Sequence, residues 1–455
     1  MEKPKRPNVL LILDDQHRFD YLGCAGAEFV RTPNLDKLAK RGIRFTQCTT
    51  NSPVCAPARI GLATGVQPAR LGCIQNNCYL PLSQKTYYQQ LRNHGYRVGC
   101  IGKLDLAKPD HYNGRYGDRP SVYQWGFTHP EECEGKMHAG SSQTPIGPYT
   151  YFLEEQGLLQ TFYDDYRLRQ KEGWSISCHD SPLPTEAFED AYIGRRAAEW
   201  ITNIADDFPW HLFVSFVGPH DPFDPPAEYG EKYRNATMPT HVPDDLNGKP
   251  QHIKNRVVNA TPEKITETRR QYCAAIELID DQIGQIITAL EQRDMLDNTY
   301  IIFASDHGEM LGDHGLYQKS VAYEPSLQVP LIVAGPSIDG GRTSDALVEL
   351  SDINPTICDL THTPKLPHID ARSFKPVLEN KTKSHRTETI STIRAFQCIR
   401  TSRYKLIINI NDIPELYDII QDPNELTNIA PKHPSLVKEL SNRLSDRLLE
   451  NTWHH

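Results

Sequence analysis

The sequence predicts an α/β protein: a large, mostly parallel sheet between layers of helices, with a smaller α+β region at its C-terminal end. Three observations carry this expectation. Short, nearly continuous apolar runs recur at 8–13, 96–101, 212–217 and 300–304. Stretches with helical spacing of apolar residues lie among them, at about 32–41, 184–204 and 261–292. The texture then changes near residue 380. Strands that are apolar on both faces belong to sheets covered on both sides, which are characteristically parallel.

Each element follows in turn. The run 8–13 reads as a buried strand ending at Asp14-Asp15. Thr32-Pro33-Asn34-Leu35 opens a helix that reaches about Arg41 and stops at Gly42. The turn 51–54 leads into a short helical stretch, 60–64, that stops at Gly65. The run 96–101 is a strand ending at Gly102-Lys103. The segment 108–180 is rich in Gly, Pro, Tyr and His and shows no period, so it is expected to form long binding loops. A helix over 184–204 precedes the strand 212–217, which ends at Gly218-Pro219-His220. The long helix 261–292 carries Ile276, Ile279, Ile283, Ile286, Ile287 and Leu290 on one stripe. The strand 300–304 ends at Ser305-Asp306-His307. These elements make one large α/β domain over 1–380. Residues 381–455 form the second unit: a hairpin or meander over 395–410 turning at Thr401-Ser402-Arg403, and a final helix over 435–449.

Composition narrows the function. A chain of 455 residues suits one large domain plus a smaller one. With 38% hydrophobic and 24% charged residues it reads as an ordered globular protein. A net charge of -9 without a dense Lys/Arg run argues against nucleic acid as a partner. The apolar run 9–13 is too short to span a bilayer and lacks the length and cleavage site of a signal peptide, so no membrane partner is expected. With Met1 followed by Glu2-Lys3-Pro4-Lys5-Arg6, the expected location is cytoplasmic, the alternative being periplasmic with a signal already removed. The 11 cysteines lack zinc-site spacing and are expected to be mostly reduced, partly buried thiols.

In open α/β sheets, ligands sit at the carboxyl ends of the strands. Four strands ending in ionisable residues imply one crevice that receives Asp14, Asp15, Lys103, His220, Asp306 and His307. Cys55, in Cys55-Ala56-Pro57-Ala58-Arg59, stands near a helix start, where free N–H groups and the dipole favour anions. Arg59, four residues on, shares its helix face. That pairing suits a tetrahedral oxyanion, although the same five residues also suit a buried cysteine before a proline-containing helical turn. Asp14, Asp15 and Asp306 offer hard oxygens suited to Ca²⁺ or Mg²⁺, and the His307 imidazole widens the choice toward Mn²⁺ or Zn²⁺. His17, His111 and His314 read as structural or exposed.

Cys55-Ala56-Pro57-Ala58-Arg59, followed by Ile60-Gly61-Leu62-Ala63-Thr64-Gly65, resembles the signature of the sulfatase family. The likeness extends along the chain in the family's order. Residues 8–16 resemble its first strand and metal-binding aspartates, Thr32-Pro33-Asn34-Leu35-Asp36 its next motif, and residues 95–103 the strand that delivers a sulfate-binding lysine, here Lys103. Pro219-His220-Asp221-Pro222 resembles the His-containing loop. Ser305-Asp306-His307-Gly308-Glu309 and Gly315-Leu316-Tyr317-Gln318-Lys319 resemble the second metal pair and second lysine, and residues 400–430 the C-terminal domain. The resemblance implies an alkaline-phosphatase-like fold and hydrolysis of a sulfate ester. It implies a divalent metal, Ca²⁺ with Mg²⁺ or Mn²⁺ as alternatives, on Asp14, Asp15, Cys55, Asp306 and His307. It also implies a maturation partner, a formylglycine-generating or anaerobic sulfatase-maturating enzyme, that converts Cys55 to formylglycine, whose hydrate supplies the nucleophilic oxygen. Cys55, Arg59, Lys103, His220 and Lys319 take the catalytic roles by the same likeness. Relatives commonly carry a histidine where this chain has Asp105. Asp105 is therefore expected to be either the base for sulfate release or a substrate contact, which favours a polar leaving group such as a sugar hydroxyl. Ser305 to Glu309 with Leu311-Gly312-Asp313-His314 also resembles phosphonate monoester and phosphodiester hydrolases, the alternative reading.

Overall fold

Residues 6–450 are described by the structure, a computed structural model. The 2–5 run invoked for a cytoplasmic location, and the last residues of the expected second domain, lie outside them. The first apolar run becomes β1 (Asn8–Asp15), buried along its whole length. The other strands are β2 (Ile43–Phe45), β3 (Cys48–Thr49), β4 (Arg97–Lys103), β5 (His129–Cys133), β6 (Trp210–Pro219) and β7 (Thr299–Ser305). After them come β8 (Leu331–Ala334), β9 (Arg342–Ser344), β10 (Val348–Glu349), β11 (Thr389–Ile393), β12 (Phe396–Arg400), β13 (Tyr404–Asn409) and β14 (Glu415–Asp418). Eight of these form one sheet in the order β5-β4-β6-β1-β7-β8-β2-β9, and β3 pairs with β10 apart from it. Only β8 runs against its neighbours β7 and β2; the other pairs are parallel. The four strands expected from apolar runs are β4, β6, β1 and β7, adjacent at the centre.

Alternation along β1 divides the core. Val9, Leu11 and Leu13 join one cluster with Ala58, Ile60 and Leu62 of the helix Cys55–Thr64. Leu10 and Ile12 join the opposite cluster with Ile193 of Glu189–Asn203 and Ile279, Ile283 and Ile286 of Pro262–Gln292. Apolar side chains thus leave the strand in both directions, as a sheet between two helical layers requires. The long helix starts where the sequence places it: Thr261 accepts a hydrogen bond from the Lys264 N–H at 3.2 Å, and Pro262 fills the first turn. The helix expected from residue 184 instead begins at Glu189, after a 3₁₀ turn at Thr185–Ala187, because Phe188 is extended and buried in a neighbouring cluster.

The segment 108–180 differs from the expected loops. It holds β5 and the helices Pro120–Gln124, Lys136–Ser141, Pro148–Glu155 and Leu159–Glu172. Its core is aromatic, with Tyr149, Phe162, Tyr163 and Tyr166 in edge and tilted contacts, so short helices bury large side chains without a long apolar period.

At the C-terminal end β11 to β14 form an antiparallel meander that starts at Thr389. The turn at Thr401-Ser402-Arg403 is closed by the Thr401 hydroxyl, which accepts from the N–H groups of Arg403 and Tyr404 at 3.3 and 2.8 Å. The helix Pro434–Leu449 lays Leu440 and Leu444 on Ile390, Ile399, Leu406 and Leu416. Among the cysteines, Cys73 and Cys78 are joined in a disulfide, their Cα atoms 5.6 Å apart; the other nine are thiols, as expected for most. Among the described residues no helix is long and apolar enough to cross a membrane.

Candidate active site

The sheet register assembles the site. Asp14 lies opposite Ser305, so the ends of β1 and β7 deliver Asp14, Asp15, Asp306 and His307 side by side. The Asp306 N–H donates to the Asp14 carbonyl at 3.3 Å, and the Gln16 N–H donates to Asp306 Oδ1 at 3.2 Å. Cys55 enters from the first turn of its helix, whose Ala56 N–H donates to Asn76 Oδ1 at 3.0 Å. Asp15, Cys55, Asp306 and His307 each offer one donor atom, and these atoms lie within 4.8 Å of one another. Cys55 Sγ is 3.2 Å from His307 Nε2 and 3.9 Å from Asp15 Oδ1. Asp14 stands beside this set: its Oδ2 accepts from His17 Nδ1 at 2.5 Å, and its Oδ1 is buried without a hydrogen-bond partner. An orphaned carboxylate oxygen beside three further hard or borderline donors fits a divalent cation.

Cations of the chain hold the carboxylates in place. Arg59 donates from Nε to Asp306 Oδ2 at 2.8 Å and from Nη2 to Asp15 Oδ2 at 3.2 Å. Its Nη1 donates to the Lys103 carbonyl and the Ser215 hydroxyl, both at 2.7 Å. Lys103 Nζ lies 2.5 Å from Asp15 Oδ2 and 3.2 Å from Asp105 Oδ2. Burial opposes ionisation of Asp15, but Lys103, His220, Arg59 and His307 outweigh it and hold the carboxyl well below its usual range. Asp306 moves the other way: burial and the Asp15 charge raise it. Burial and Asp15 also push the Cys55 thiol up, yet Lys103, Lys319 and His307 overcome them and bring it well below the usual thiol range.

Lys319 and His220 meet on the other side. Lys319 Nζ contacts His220 Nε2 and donates to Gln16 Oε1 at 2.5 Å. His220 Nδ1 faces the Asp221 carbonyl at 2.6 Å, so Nδ1 carries a proton and Nε2 faces the lysine. Asp105, with φ of 55°, is committed to Lys108 at 2.7 Å as well as to Lys103. Burial works against its charge, but Lys103, Lys108 and Arg59 hold it ionised far below the usual carboxylate range.

Several participants escape a reading of the sequence. Gln16 links Lys319 and Asp221, donating to Asp221 Oδ1 at 3.1 Å, and also contacts Glu309. Ser215 is a lone hydroxyl in the apolar run of β6, the one signal that could have found it. Gln318 donates to Asp221 Oδ2 at 2.8 Å. His17, expected to be structural, is the partner that orients Asp14. His314, by contrast, stacks on Tyr323, and Asp313 is held by Arg18 and Arg269, at 2.6 and 2.7 Å. That half of the motif shared with phosphonate hydrolases therefore serves packing. His111 is exposed, edge-on to His138.

The Sulfatase family model matches residues 7–363, and the model described as N-sulphoglucosamine sulphohydrolase, C-terminal, matches residues 312–452. The chain is 30% identical to a choline-sulfatase of Rhizobium meliloti, over 94% of this chain and 84% of that one. It is 27% identical to an N-acetylglucosamine-6-O-sulfatase of Bacteroides thetaiotaomicron, over 98% and 87%. Among solved structures, a phosphonate monoester hydrolase of Agrobacterium radiobacter superposes with a TM-score of 0.82 at 24% identity, covering 98% of this chain and 96% of that one. The chain belongs to the sulfatase family, within the alkaline-phosphatase-like superfamily, and is a sulfuric ester hydrolase.

Proposed function

We propose that the protein removes sulfate from a carbohydrate, with Cys55 matured to formylglycine by a formylglycine-generating or anaerobic sulfatase-maturating enzyme. The observation that carries this reading is the setting of Cys55: at a helix start, 3.2 Å from His307 Nε2, beside Asp15, and within the field of Lys103 and Lys319. Asp14, Asp15, Asp306 and His307, with the group at position 55, would hold a divalent cation, Ca²⁺ first, with Mg²⁺ or Mn²⁺ as alternatives. Such a cation supplies Lewis acidity toward a sulfuryl oxygen and toward the hydroxyl of the aldehyde hydrate.

The chain's own residues do the rest. Arg59 fixes Asp15 and Asp306 and places its charge beside the nucleophile position. Lys103 and Lys319 present ammonium groups to the sulfuryl oxygens, where negative charge gathers as the bond to the leaving oxygen lengthens. The proton shared between Lys319 Nζ and His220 Nε2 is the one delivered to the leaving alcohol, since His220 Nδ1 is engaged with the Asp221 carbonyl. Asp105 acts as the charge partner of Lys103 and Lys108; a carboxylate so strongly stabilised is a weak proton acceptor, which argues against a role as base. The sugar substrate is supported by the N-acetylglucosamine-6-O-sulfatase relative. A phosphonate monoester substrate is the second reading, favoured by the likeness to the phosphonate monoester hydrolase structure. Peptide mass analysis for the aldehyde at position 55, followed by assays on sulfated sugars, choline sulfate and aryl sulfates, tests the proposal. Unmodified Cys55 in fully active protein would sink it.

A further inference from the structure

A cavity of ≈ 600 Å³ opens beside Lys319, the residue assigned above to the leaving group. That volume lies within the usual range of small-molecule sites and is ample for a sugar ring. Val54, the residue before Cys55 in the chain, and Lys319, the partner of His220, form part of its wall. Ile74, Gln75 and Asn76 come from the loop closed by the Cys73–Cys78 disulfide, and Asn76 is the residue that accepts from the Ala56 N–H. The cavity wall is thereby tied to the helix that carries position 55.

The charge of this wall is one-sided. Lys319, Arg256 and Arg394 line it, and no aspartate or glutamate does. Arg256 donates to the carbonyls of Lys319 and Ser320 at 2.6 and 2.9 Å, and Arg394 to Gln75 Oε1 at 3.5 Å. Neither guanidinium has an ion-pair partner among the described residues. Burial pulls Arg256 below its usual range, with only Glu309 offsetting it. Lys103, on the far side of position 55, has Asp15 and Asp105 beside it. Arg394 is exposed at this wall and Arg256 partly buried, and a guanidinium without a carboxylate beside it is free to bind an anionic ligand group through charge-assisted hydrogen bonds.

Resting on the hydrolase reading above, we infer that this cavity receives the leaving group of a substrate bearing a second anionic substituent, a sulfate or carboxylate, with Arg394 as its contact and Arg256 as a positioning residue behind Lys319. The test compares a neutral sugar monosulfate with the same sugar carrying a second sulfate, and 4-nitrophenyl sulfate as a substrate without that group. Wild-type protein favours the disulfated sugar by roughly tenfold or more in kcat/KM, the worth of one charge-assisted hydrogen bond. Arg394→Glu removes this preference and leaves turnover of 4-nitrophenyl sulfate within about twofold; Arg394→Gln falls between. Calorimetric binding of the products gives a readout without turnover: the sugar that retains a sulfate binds wild type more tightly than the neutral sugar, and Arg394→Glu abolishes the difference. Equal treatment of the two sugars by wild type, or equal losses on both in Arg394→Glu, overturns the inference. Intact binding preference with no sulfate ester turned over would count against the hydrolase reading and leave the cavity assignment standing.

Discussion

Removing the Arg59 guanidinium exposes how the site is held together. Arg59 is buried, and its contacts with Asp306 at 2.8 Å and Asp15 at 3.2 Å are the charged ones. Without it, Asp15 keeps Lys103, whereas Asp306 Oδ2 loses its arginine. A hydrogen bond to a charged group contributes about 1.5–3 kcal/mol, and breaking a buried pair from one side costs about 3–5 kcal/mol because the remaining charge is uncompensated. Arg59→Met is therefore expected to lower the unfolding free energy by about 3–5 kcal/mol in the presence of chelator. Asp306→Asn reduces the charge that Arg59 answers, so the double variant loses less than the two single losses combined, by about 1.5–3 kcal/mol. Urea unfolding of all four proteins measures this coupling. Additive losses within about 0.5 kcal/mol would refute the claim that Arg59 and Asp306 act as a pair.

Four other outcomes are expected. Cys55→Ala lowers kcat by at least about 10³-fold, because no aldehyde can form, and steady-state kinetics on an aryl sulfate would show it. Lys319→Ala slows alkyl and sugar sulfates more than aryl sulfates with acidic phenols, by roughly 10²-fold or more on the former, since only a basic leaving oxygen needs its proton; equal loss across a leaving-group series contradicts the role. Chelation lowers the unfolding midpoint and activity together, and Ca²⁺ at about 100 times its Kd restores roughly 2.7 kcal/mol. Glu324 bonds Arg400 at 2.9 Å and Lys405 at 3.0 Å, tying the helix Glu324–Leu327 to the C-terminal meander; burial opposes its charge, yet these partners hold its carboxyl at about 2. Its folded pKa lies below the unfolded one, near 4.5, so its contribution of up to about 3 kcal/mol is complete above pH 4.5 and is lost as pH falls toward 2. The stability gap between wild type and Glu324→Gln, measured by urea unfolding, should shrink across that window and stay constant above it.

Much of the site was legible because strand ends advertise it. Asp14-Asp15, Lys103, His220 and Asp306-His307 each begin within three residues of the end of an apolar run, and central parallel strands bring such ends together by necessity. The Cys55 helix was legible from Gly65, which ends it with φ of 71°. Gln16 and Gln318 were not: amides carry no pattern, and their value here depends on partners 303 and 97 residues away. The pairing of Asp105 with Lys108 was available from a spacing of three residues. The folded structure of 108–180 was hidden because aromatic packing, rather than a long amphipathic period, holds its short helices.

The central claim is that this site breaks a sulfate ester. Its most direct test is the ratio of kcat/KM for an aryl sulfate to that for the matching aryl phosphonate monoester, using protein whose aldehyde at position 55 has been verified by peptide mass. A ratio above one is expected; a higher kcat/KM on the phosphonate would contradict it.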